Sequence, residues 1–79
     1  MDGKYKYIRI EELRERKDYT QKHVALELNI EQRTYSHYER GTRQIPLQTL
    51  CQLADLYGVS VDYILERTDI ETPYPKESR

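Results

Sequence analysis

A chain of 79 residues with 13 Lys+Arg against 14 Asp+Glu, one cysteine and neither Phe nor Trp sets firm limits on what it does. A domain of this size buries only roughly 60–65% of the surface its unfolded chain exposes, too thin a core for a deep enzymatic pocket. The single Cys51 excludes an intrachain disulfide and a cysteine-built metal cluster, which fits a reducing compartment. No apolar run approaches the ~20 residues of a membrane span, and "MDGKYKYIRI" lacks the apolar core of a secretory signal, so a soluble, cytoplasmic protein is expected.

Apolar spacing is helical throughout, with breaks at "KDYT", "LNI", "GTRQIP" and "YGVS". Residues 1–7 form an N-terminal arm. A first helix carries Ile8, Ile10 and Leu13 and ends near Lys17. Thr20 is the expected N-cap of a second helix with Val24, Ala25 and Leu28 on one face. Asn29, which tolerates a left-handed backbone, marks a sharp turn. A third helix runs from about Glu31 to Arg40 and stops at Gly41. Pro46 opens a fourth, whose Leu47, Leu50, Cys51, Ala54 and Tyr57 recur at helical spacing and are read as core; Gly58 closes it. Ser60 caps a short fifth helix with Val61, Ile64 and Leu65 apolar. The expected fold class is all-α, a compact five-helix domain over residues 8–67, followed by a frayed tail over 68–79. Eight tyrosines must supply the aromatic bulk, and each buried one needs a hydroxyl partner or a route to solvent.

Charge is unevenly placed. Residues 1–44 hold ten basic and eight acidic side chains, a balance of +2, whereas residues 45–79 hold three and six, a balance of −3. A polyanion is expected to meet the first half. At 100° per residue, the third helix gathers Gln32, Arg33, Ser36, His37 and Arg40 in one arc and Thr34, Tyr35, Tyr38 and Glu39 in the other. The polar arc holds no carboxylate. Its side chains are those that hydrogen-bond base edges and phosphates, although a merely solvated face has the same outline.

A short helix, a tight turn at Asn29 and a second helix follow the helix-turn-helix plan. From Ile10 to Arg67 the chain resembles the helix-turn-helix family of Cro and the lambda-type phage repressors, also called the XRE family. The residues that carry the resemblance are Thr20, Gln21, Ala25, Asn29 and "SHYERG", with "IPLQTLCQLADLYGVSVDYIL" resembling the family's fourth and fifth helices. The resemblance implies a lambda-repressor-like DNA-binding domain that binds double-stranded DNA as a homodimer and regulates transcription, most often by repression, in a prokaryote or its mobile elements. It further implies that Gln32, Arg33, Ser36 and His37 meet bases, that Gln21, Arg40, Thr42 and Arg43 meet phosphates, and that Arg14 pairs with Glu39 as a structural tie. Tyr35 and Tyr38 fall at the family's core positions. Glu31 departs from the family's Ser or Thr cap.

His23, His37 and Cys51 lack metal-ligand spacing, and adjacent Ser36 and His37 point about 100° apart, so neither a zinc site nor a catalytic pair is read here. With no nucleophile, metal set or phosphate loop, no enzyme and no cofactor are expected. A rival reading is an antitoxin-like or accessory module that binds a protein partner. Leu26 lies outside its helix's buried stripe, and Ile64 and Leu65 suit either a dimer face or packing within the monomer.

Overall fold

The computed structural model describes residues 4–73 and is helical. Its five helices are α1 (Ile8–Arg16), α2 (Gln21–Leu28), α3 (Gln32–Arg40), α4 (Leu47–Tyr57) and α5 (Val61–Ile64). Among the described residues there is no strand, and no helix is long and apolar enough to cross a membrane.

Each helix stops by the same device. A residue with positive φ follows the last turn, at Asp18, Asn29, Gly41, Gly58 and Glu66. Two main-chain bonds then close each end: for α3, Gly41 N–H donates to Tyr38 C=O and Thr42 N–H to His37 C=O. This satisfies carbonyls that the helix leaves without partners. The starts are less uniform. Thr20 accepts from His23 N–H and Ser60 from Tyr63 N–H, whereas Glu31 makes no side-chain cap to α3.

The core joins Ile10 and Leu13 of α1, Val24, Ala25 and Leu28 of α2, and Tyr35 and Tyr38 of α3 to Leu50, Leu53, Ala54, Tyr57, Tyr63 and Ile64 from the C-terminal half. The expected stripe of α4 needs correction. Leu47 and Cys51 are exposed, while Leu53 and Thr49 are buried with Leu50, Ala54 and Tyr57. The buried face is therefore centred on Leu53 and Tyr57, which rotates Leu47 and Cys51 out of it; apolar identity alone does not reveal that rotation. Ile64 is fully buried and Leu65 partly so, within one copy of the domain.

The expectation for buried tyrosines is met only loosely at two positions. The Tyr35 and Tyr57 hydroxyls are buried and make no well-formed hydrogen bond among the described residues, although they lie close to each other and Tyr35 lies beside the Glu39 carboxylate. Burial pushes both ionisations upward, that of Tyr57 to about 12. Both hydroxyls lie near the Glu39 carboxylate, and its field helps hold them neutral.

The segment after α5 turns back over the bundle through residue 73. Arg9 lies 4.1 Å from the Tyr63 ring centroid and donates to Tyr63 C=O, Thr68 C=O and Asp69 Oδ1. Ser60 N–H donates to Glu71 C=O, and Arg16 pairs with Glu71 at 3.1 Å. Within the stretch expected to fray, Thr68, Asp69 and Glu71 are hydrogen-bonded to the helical body, and 74–79 lie outside the described residues, as do residues 1–3 of the arm.

Candidate nucleic-acid interface

The α2–turn–α3 unit is held from behind by a buried carboxylate. Glu39 is 4% exposed, which would be costly for a lone charge. It accepts from Arg14 Nε at 2.6 Å, Arg14 Nη2 at 3.2 Å and Gln21 Nε2 at 2.9 Å. Burial alone would push its carboxyl up, but the hydrogen bonds of Arg14, the nearby Tyr35 hydroxyl, the amide of Gln21 and the charge of Arg14 outweigh it, holding Glu39 below the usual carboxylate range. Arg14 also donates to Tyr19 C=O at 2.9 Å, so one guanidinium ties α1, the entry to α2 and the end of α3.

With Tyr35, Tyr38 and Glu39 buried, the opposite arc of α3 faces outward. Gln32, Arg33 and Arg40 are exposed, and Ser36 and His37 half-buried. Gln32, Arg33 and Arg43 make no hydrogen bond to other described residues, which leaves their donors to solvent or a ligand. The other expected contact residues are already joined. Arg40 donates to Ser36 Oγ at 2.9 Å and lies 3.1 Å from His37 Nδ1, which is 2.7 Å from Thr42 Oγ1. Burial first, then the charges of Arg40, Arg43 and Arg33, hold the His37 imidazole below its ordinary range. The structure brings Gln32, Arg33, Ser36, His37 and Arg40 onto one face, with Thr42 and Arg43 just beyond its C-terminal end.

Gln21 differs from that group. One of its amide hydrogens is spent on Glu39, so its remaining amide hydrogen and the main-chain N–H at the α2 N-terminus are what it can offer an anion. The sequence reading had no place for this third partner of the ion pair, nor for the N-terminal stretch at the end of α3. Tyr5 N–H donates to Gly41 C=O at 3.0 Å, and Lys6 Nζ to Glu39 C=O at 3.1 Å. Gly41 permits this approach, since a Cβ there would lie 2.6 Å from Lys6 N. The only sequence signal was "GKYK" upstream of α1, too short to assign a position.

Comparison with known proteins agrees with this geometry. A helix-turn-helix family model matches residues 10–64. The HTH-type transcriptional regulator ImmR of Bacillus subtilis is 42% identical over 62 residues, covering 78% of this chain and 49% of that protein. The uncharacterized HTH-type regulator YobD of the same organism is 41% identical over 71 residues, covering 90% and 62%. The cryptic phage CTXphi transcriptional repressor RstR of Vibrio cholerae is 36% identical over 64 residues, covering 81% and 56%. The chain therefore belongs to the XRE-type helix-turn-helix family, and it spans about half to three-fifths of the length of these relatives. No solved structure matches it.

Proposed function

We propose that the chain is the DNA-binding unit of a transcriptional regulator that represses from a two-fold-related operator, bound as a homodimer in the cytoplasm with α3 in the major groove. The observation that carries this reading is the division of α3: its one carboxylate is buried and neutralised behind the helix, and its outward arc presents only Gln, Arg, Ser and His. Such an arc meets phosphates without repulsion and offers base edges their complementary donors and acceptors. In this reading Gln32, Arg33, Ser36 and His37 meet bases, and Arg40, Arg43 and the amides of Gln21 meet the backbone, while Thr42, whose N–H and hydroxyl are both engaged with His37, acts through that ring. The repressor named among its relatives supports the sign of regulation.

With Arg40 and Arg43 as the cationic phosphate contacts, one copy releases few counterions and would bind weakly, a deficit that two copies on a palindrome make up. The test is selection from a randomised duplex library at fixed, near-physiological salt. Recovery of a palindrome with half-sites about one helical turn apart supports the reading. Recovery of only nonspecific background overturns it and favours an antitoxin-like or accessory module that binds a protein.

A further inference from the structure

We propose that His37 reads the groove as a fixed hydrogen-bond donor through Nε2, its tautomer held by Arg40 and positioned by Thr42, and that it thereby selects a base offering an acceptor and rejects cytosine. The inference rests on the DNA-binding reading above and deepens it.

The tautomer follows from which groups can accept. Two partners crowd Nδ1: Arg40 Nη2 at 3.1 Å and Thr42 Oγ1 at 2.7 Å. A guanidinium has donors and no acceptor. A proton on Nδ1 would face the Arg40 N–H donor to donor, so Nδ1 is the unprotonated nitrogen. Thr42 Oγ1 then donates to it at the shorter of its two distances, the other being 3.4 Å to His37 C=O. The same argument removes the imidazolium, which would carry hydrogen on both nitrogens. The three nearby arginines act in the same direction by disfavouring a positive ring. The neutral ring is left with its hydrogen on Nε2.

Arg40 does not swing freely. Its other nitrogen donates to Ser36 Oγ at 2.9 Å, one turn back on α3, so the guanidinium is braced along the outward face. Thr42 is placed by the main-chain bond from its own N–H to His37 C=O at 3.1 Å, part of the stop at Gly41. The helix end therefore sets the ring's chemistry. In the major groove an Nε2 donor finds acceptors at guanine O6 and N7, at thymine O4 and at adenine N7, whereas cytosine presents the N4 amino donor.

Two measurements test this. Long-range proton–nitrogen NMR of the free protein at neutral pH is expected to show His37 protonated on Nε2 and bare on Nδ1; an Nδ1-protonated ring overturns the proposal without touching the DNA reading. Library selection is then run in parallel on the wild type, His37→Gln and Thr42→Val. The wild type is expected to disfavour cytosine at one position of each half-site by about three- to tenfold, the scale of one hydrogen bond. His37→Gln, whose amide both donates and accepts, loses that contrast and keeps the rest of the consensus. Thr42→Val weakens the same contrast more than it weakens binding to unrelated duplex. A consensus that keeps its contrast in both variants overturns the role of His37 alone, as does a Thr42→Val loss equal on all duplexes for the positioning by Thr42. A wild type with no consensus overturns the function on which the proposal stands.

Discussion

Arg14 and Glu39 lie 25 residues apart in sequence and meet in a two-bond ion pair with Nε 2.6 Å from Oε2, the carboxylate being 4% exposed. The pair is the fixed point of the interface, because Glu39 belongs to the helix that carries the outward arc and Arg14 to the body of the bundle. Arg14→Met leaves the carboxylate buried without its countercharge and is expected to cost ~3–5 kcal/mol in urea unfolding at neutral pH. A double replacement by apolar residues should recover much of that loss.

The same pair sets a pH dependence. Glu39 titrates lower in the folded state than in the unfolded chain, so across the carboxylate range the unfolded state binds more protons. Its contribution to stability is therefore complete above the ordinary carboxylate pKa and is lost as pH falls through the folded one. The stability difference between wild type and Glu39→Gln should shrink on acidification from neutral pH. A constant difference down to strongly acid conditions would show that Glu39 titrates normally.

Tyr35 and Tyr57 carry buried hydroxyls that make no well-formed hydrogen bond among the described residues, Tyr35 lying beside the Glu39 carboxylate. A buried unsatisfied polar group costs ~1–3 kcal/mol, so Tyr57→Phe is expected to leave stability unchanged or raise it by about 1 kcal/mol, and Tyr35→Phe, which takes a hydroxyl from beside the buried Glu39 carboxylate, to be the less favourable of the two. A loss above about 1 kcal/mol in denaturant titration would mean that the hydroxyl is bonded in solution.

Two glycines with positive φ separate strain from collision. Gly58→Ala meets open space and should cost only the left-handed backbone penalty of ~1–2 kcal/mol. Gly41→Ala adds a clash with the backbone of Lys6 and should cost about 2–4 kcal/mol. Glu66→Gly, which relieves a left-handed non-glycine residue, should be neutral or stabilising. Thermal unfolding of the three variants ranks them directly.

Glu31 precedes α3 in extended backbone and makes no side-chain cap. Glu31→Ser supplies the missing acceptor and removes a negative charge at the N-terminus of the helix proposed to enter the groove. It is expected to add roughly 0.5–1.5 kcal/mol of stability and to tighten duplex binding at low salt more than at high salt. Equal gains at both ionic strengths would assign the effect to folding alone.

The sequence by itself determined the local structure of this protein. Helical spacing, the caps Thr20 and Ser60 and the stops Asn29, Gly41 and Gly58 are decided by bonding within a few residues, and they fall where the pattern indicated. The two faces of α3 were legible for the same reason: a fixed helical period places Tyr35, Tyr38 and Glu39 opposite Gln32, Arg33 and Ser36. Contacts across the chain were not. The rotation of α4 that exposes Cys51, the Gln21 amide on Glu39, the seat of Lys6 against Gly41 and the Arg9 clamp on residues 68–69 depend on where whole elements dock. Docking is chosen by packing volume and buried charge summed over the bundle, a quantity that no short stretch of sequence contains.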